Sequence, residues 1–289
     1  MRTITTTAEL QHQVRTSRMR DERIALVPVI GALHEPDVER IRTARAQCGF
    51  VVTCVVPRDA ARRLFSRHAR MQELPNRQEM LASAGGTDLL WLPSLDDLDA
   101  GTGATSVHVA SAAPWNTREH DQLRSLLATR MVRVINAARA DVMYLDETDI
   151  DQTVMLERVV HELALRVEVR RVPVLRDPDG VPLGGIVASL EPAVHARATA
   201  LPAALQLAAR AVRDGATTTV GRLRAQVEMA LADEPSIDIQ FVELVDPVTL
   251  APLETLSDSG LLVASIVIDG VRIVDHVDVD SSEVTPALR

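Results

Sequence analysis

The sequence contains no lysine, so its 31 basic residues other than histidine are all arginine. That excludes a lysine phosphate clamp, a Schiff-base lysine and a lysine general base. Aromatic residues make up only 2%, so the core has to be built from Val, Leu, Ile and Ala. Cysteine is scarce as well. Cys48 and Cys54 fall at a helix end and in a strand, outside any C-x-x-C or zinc spacing, and read as small buried thiols. No apolar run approaches the ~18 residues that a membrane helix needs, and Met1 to Thr5 lacks the apolar stretch of a secretory signal. The expectation is a cytoplasmic protein that binds no membrane. The net charge is −9, which lacks the basic face expected of a nucleic-acid binder.

What is present is an ordinary globular composition, 46% hydrophobic and 25% charged over 289 residues. That length is enough for two cores. The chain centres on Leu26-Val27-Pro28-Val29-Ile30-Gly31-Ala32-Leu33-His34-Glu35-Pro36-Asp37. A buried-type strand runs into a glycine turn, and a helix begins near Pro36. Strand, glycine turn and helix start is where α/β proteins place an anion, because free N–H groups and the positive dipole end converge there.

The rest of the chain alternates. Strands are expected at 3–7, 23–29, 50–56, 88–92, 106–110, 142–145 and 166–172. Helices are expected at 8–19 with Thr7 as cap, from Pro36 to Gly49, and at 59–71, 78–84, 123–138 and 149–163. The second helix has Val38, Ile41, Ala44 and Ala46 inside; the last has Val154, Met155, Val159, Val160 and Leu163 inside. Residues 111–120 read as polar and irregular. This alternation predicts a parallel sheet with helices on both faces, over residues 1–173. A smaller α+β domain is expected over 174–280. Its helix from Pro192 to Arg213 breaks near Pro202, and an Asp269-Gly270 turn makes a hairpin. A disordered tail, 281–289, follows.

The order of segments resembles pantothenate synthetase. Val27 to Glu35 is similar to that family's V-P-T-M-G-A-L-H-E, and Asp88 to Ser94 to its D-L-V-F-A-P-S. Asp141 to Gln152, Pro173 to Leu183, Glu243 to Leu250 and Arg272 to His276 match further landmarks in order. The resemblance implies a Rossmann-like, nucleotidyltransferase-type domain with a smaller lid domain, assembled as a homodimer. It implies ATP with Mg2+, which converts pantoate to an adenylate that β-alanine attacks. Carried over residue by residue, it places Pro28, Ile30, Gly31, His34, Asp149 and Leu175 on the nucleotide, Gln152 on pantoate, and catalysis at His34.

Several positions depart from the family pattern. Asp37 replaces the second His of H-x-G-H, and Pro36 replaces its Gly. The family Lys of G-x-K-D falls at Thr148 and its Gly at Asp146. The S-S-R-N stretch falls at Gly184-Gly185-Ile186-Val187, and the pantoate-binding Gln is lost after Pro57. Lost phosphate donors, with a carboxylate at Asp37 repelling ATP, lead to the expectation of an impaired enzyme or pseudoenzyme that serves as a binding, regulatory or assembly partner of an active homologue. The alternative is an active adenylating ligase with altered substrates or with arginine in place of lysine, Arg58, Arg62, Arg118 and Arg124 being the candidates. A metal held by His34, Glu35 and Asp37 is the weaker reading of that trio beside a capped helix with solvated acids.

Overall fold

The computed structural model describes residues 1–31, 33–56, 75–99, 104–184, 190–215, 219–232, 234 and 236–280. The helix expected over 59–71, with Arg58 and Arg62, and the tail from 281 lie outside them. The chain divides into two units. One comprises Met1–Ala110 and Thr117–Val174; the other comprises Ser111–Asn116 and the chain from Leu175 onward.

The first unit holds strands β1 (Arg2–Ile4), β2 (Ile24–Ile30), β3 (Phe50–Val56), β4 (Leu89–Trp91), β5 (Val142–Asp146) and β6 (Glu168–Val172). All pair in parallel, in the order β1-β4-β3-β2-β5-β6. Helices α1 (Thr7–Arg18), α2 (Glu35–Gln47), α3 (Pro75–Gly85), α4 (Leu95–Asp99), α5 (Arg118–Ala138) and α6 (Ile150–Glu162) connect them. The fold is the expected α/β class. Side chains along β2 alternate between two cores. Ile24 and Leu26 pack with Leu10 of α1, Met131 of α5 and Met155 of α6. Ala25, Val27 and Val29 pack with Val38 and Ile41 of α2. Burial on both faces is why this strand is continuously apolar. Cys48 and Cys54 are buried free thiols, and burial pushes the Cys54 thiol far up, so it stays protonated.

Some expectations fail for local reasons. Residues 106–110 are not a strand. A helix holds their backbone instead: Thr129 Oγ1 accepts the Val107 N–H at 2.8 Å, and Ser125 Oγ accepts the Val109 N–H at 3.3 Å. Helix α5 starts at Arg118, before the expected Leu123, because Thr117 caps it by accepting the His120 N–H. Thr6, not Thr7, caps α1, in a reciprocal box with Glu9. Ala46 is exposed, since five positions past Ile41 at ~100° per residue carries it off the buried face. Leu163 is also exposed, as the residue that terminates α6.

The second unit is a three-stranded antiparallel sheet, β7 (Ile237–Val245), β8 (Ser259–Ile268) and β9 (Val271–Asp280), in that order. Helices α7 (Pro192–Ala198), α8 (Ala200–Arg213) and α9 (Val220–Leu231) belong with it. Leu201, Leu205, Leu223 and Val227 of these helices share a core with Leu244, Leu262 and Ile266. The break between α7 and α8 falls at Thr199 rather than Pro202. Pro202 sits in the first turn of α8, where its missing N–H removes no helical bond. Asp269 and Gly270 have φ of 50° and 79°, the double positive φ of a tight hairpin turn. The segment Ser111–Asn116 brings Trp115 to stack on Phe241, centroids 5.0 Å apart.

Candidate active site

The chain runs from β2 to β3 on one side of the sheet and returns to β5 on the other. Such a switch point leaves a crevice at the carboxyl ends of the strands. Pro28 widens it. β2 pairs with β5 only through Ala25 and Leu26, and Pro28 has no N–H with which to extend the ladder. A cleft of about 40 Å³ lies beyond. Its walls include Pro28 and Ile30 of β2, Arg40 of α2, Asp146 of β5, and Asp149 and Gln152 at the start of α6. Pro28, Ile30, Asp149 and Gln152 are residues that the resemblance singles out, and the fold brings them together here.

The other sites expected from the sequence lie differently. Gly31 ends β2 with φ of 93°, which a side chain would resist, and its N–H reaches Val56 O at 2.9 Å. His34 is half-buried and caps α2 in an extended conformation. Leu175 belongs to the second unit, where its carbonyl accepts the Leu183 N–H at 2.7 Å. Gly184 is described; Gly185, Ile186 and Val187 are not.

Asp37 lies in the first turn of α2 with both carboxylate oxygens engaged. One of its oxygens accepts the His34 backbone N–H at 2.7 Å. The other is paired with Arg40. The Arg40 guanidinium also reaches Asp146, whose Oδ2 lies 3.0 Å away. Asp37 and Asp146 are thus joined through one buried arginine. Asp146 Oδ1 accepts the Thr148 N–H at 3.0 Å and so holds the short 3-10 turn Glu147–Asp149. Sequence reasoning missed Arg40 because it sits among the apolar positions of α2. The available signal was its i,i+3 spacing from Asp37.

Asp149 caps α6 by accepting the Gln152 N–H at 3.1 Å. Its carboxyl is pushed up to about 6, first by desolvation and then by the charges of Asp151 and Asp146. The residue itself is exposed, in the cleft wall. Arg124 is paired with Asp151, which commits it to α6. The Arg118 side chain lies outside the description. His34, Glu35 and Asp37 do not converge as metal ligands. Among the described residues, that arrangement is found at Asp177, Asp179 and His195 in the second unit. There, burial pushes the Asp177 carboxyl up, but hydrogen bonds from His195, Val181 and Asp179 outweigh it and hold it below its usual value.

The chain is similar over nearly its whole length to proteins of one family. The sequence profile of the family described as "Pantoate-beta-alanine ligase" matches residues 2–278. The chain is 32% identical to a pantothenate synthetase of Acidiphilium cryptum over 263 residues, 89% of this chain and 92% of that one. It is similar to the crystal structure of pantothenate synthetase from Thermus thermophilus, with a TM-score of 0.83 and 26% identity, covering 99% of this chain and all of the other. A pantoate-beta-alanine ligase from Francisella tularensis, solved with an ATP analogue and β-alanine, shares the fold at a TM-score of 0.70 and 16% identity, over 96% and 97% of the two chains.

Proposed function

The chain belongs to the pantoate-beta-alanine ligase family, and from that premise we propose that it is an active ATP-dependent ligase, joining a pantoate-type hydroxy acid to an amine through an acyl adenylate. The observation that carries this reading is the Asp37–Arg40–Asp146 unit. Adenylation gathers negative charge where carboxylate and phosphate meet, and positioned cations stabilise it. Among the described residues of the cleft wall, the buried Arg40 guanidinium is a cation placed for that task. The Asp37 carboxylate, expected to repel ATP, is paired with the same guanidinium and with the His34 N–H.

Other parts of the cleft fit the reading. Gln152 and Asp149 give it polar groups at the start of α6 for hydroxyls of acid and ribose, the roles that the resemblance gives them. Pro28, Ile30 and Leu156 give it an apolar wall that suits a branched aliphatic acid. Asp149 offers an oxygen ligand of the kind that a magnesium ion accompanying the nucleotide would take.

The test is turnover with ATP, pantoate and β-alanine, following pyrophosphate and AMP. The expected result is pyrophosphate release that depends on the acid, and amide formed in equal amount to AMP. No pyrophosphate with pantoate or with a panel of related 2-hydroxy and 4-hydroxy acids would overturn the reading.

A further inference from the structure

We propose that Arg40 is the receptor in this cleft for an anionic oxygen group of the reactants, and that Asp146 is an internal carboxylate holding that place until the reactant displaces it. This rests on the ligase reading above and deepens it.

Arg40 is turned into the protein and only 5% exposed. A buried guanidinium has to be paired, and Asp37 alone supplies one neutralising charge. Asp37 is also fixed, buried and tied to the start of α2 by the His34 N–H. Asp146 is therefore a second carboxylate on a single cation. Its side chain is 31% exposed, and it lies in the cleft wall. Of the two partners it is the one that solvent and a ligand can reach.

The guanidinium is not fully used. Its Nε is buried without a hydrogen-bond partner, while its terminal nitrogens serve Asp37 and Asp146. An oxyanion that takes the place of Asp146 gains the cation, and a small rotation of the guanidinium gives the free N–H an acceptor. The displaced carboxylate is not stranded, because its other oxygen stays on the Thr148 N–H at 3.0 Å. The remaining polar groups of the wall, Asp149, Gln152 and Thr153, carry no positive charge that competes for an anion. The acid's carboxylate and the phosphate it joins present the same chemistry to Arg40, and kinetics can tell them apart.

Asp146→Asn isolates the idea. Asparagine keeps an oxygen for the Thr148 N–H and removes the competing charge. The KM for the reactant that meets Arg40 should fall by roughly threefold to fivefold, the worth of a partly exposed ion pair. A fall in the KM of the acid assigns the carboxylate, and a fall in that of ATP assigns the phosphate. Arg40→Met should raise the same KM by about a hundredfold, with partial recovery in Arg40→Lys. Unchanged KM values in Asp146→Asn, with wild-type turnover intact, would overturn the inference and leave the ligase reading standing. An inactive wild type would overturn the ligase reading. Displacement is then read from thermal stabilisation by pantoate and by inorganic pyrophosphate, which Asp146→Asn must increase; no increase with either probe rejects it.

Discussion

Asp37 accepts the backbone N–H of His34 at 2.7 Å with one carboxylate oxygen and pairs with the Arg40 guanidinium through the other. One side chain therefore caps a helix and neutralises a buried cation. Asp37→Asn keeps an acceptor for the His34 N–H and loses the charge, whereas Asp37→Ala loses both. Arg40 retains Asp146 in each case, which softens the loss. We expect Asp37→Ala to destabilise by about 2 kcal/mol and Asp37→Asn by about half of that, measured as the shift in urea unfolding midpoint at pH 7. Equal costs for the two variants would show that the cap contributes nothing.

The Asp149 carboxyl titrates at about 6 in the folded chain, above its ordinary value near 3.8. The fold thus favours the protonated form. The stability that this group contributes is fully present below about pH 4 and is lost as pH rises through about 6. Asp149→Asn keeps the helix cap, because asparagine is a good N-cap residue, and removes the titration. The variant should melt higher than the parent at pH 7.5, with the advantage shrinking to nothing by pH 4. Parallel melting curves from pH 4 to pH 8, offset by a constant, would contradict the raised pKa.

Much of the first unit could be read from the chain because burial writes it there. Ile24 to Ile30 is apolar throughout since both faces of β2 are covered, and helix periodicity then locates α1, α2 and α6. What could not be read depends on partners distant in sequence. Residues 106–110 look like a strand, but the hydroxyls of Ser125 and Thr129 meet their N–H groups in place of a neighbouring strand. The site follows the same pattern. Pro28, Ile30, Asp149 and Gln152 were legible through the family pattern, and the fold gathers them in one cleft. Asp37 and Asp146 were not legible as a pair, because Arg40, which links them, signals itself only through its i,i+3 spacing from Asp37.

In the second unit, Arg176 holds Asp275 through two contacts of 2.8 and 2.9 Å. The Asp275 side chain is 2% exposed. The same guanidinium also donates to the carbonyls of Gly180 and His276, so it ties the Asp177–Gly180 turn to β9. Arg176→Met leaves a buried carboxylate without its cation and should cost about 3–5 kcal/mol. The double variant Arg176→Met with Asp275→Asn should recover part of that, since the stranded charge is gone. Denaturant unfolding of the single and double variants checks both, and a double variant less stable than Arg176→Met would contradict the account.

Two helical glycines should respond to alanine with opposite signs. Gly85 ends α3 against α2, and a Cβ there would meet Ile41 Cβ and Cγ2 at 2.7 Å and the Val38 carbonyl oxygen at 3.2 Å. Those atoms sit close to the backbone of α2 and cannot swing aside as the end of a long side chain would. Gly85→Ala must therefore push α2 and α3 apart, at a cost of about 1–3 kcal/mol. Gly221 lies in the first turn of α9, exposed, with nothing within 4 Å of an added Cβ. There alanine only restricts the unfolded chain, and Gly221→Ala should stabilise by about 0.4–1 kcal/mol. Thermal unfolding of both variants side by side decides the matter. A neutral Gly85→Ala would mean that α3 is not seated on α2 as closely as its glycine allows.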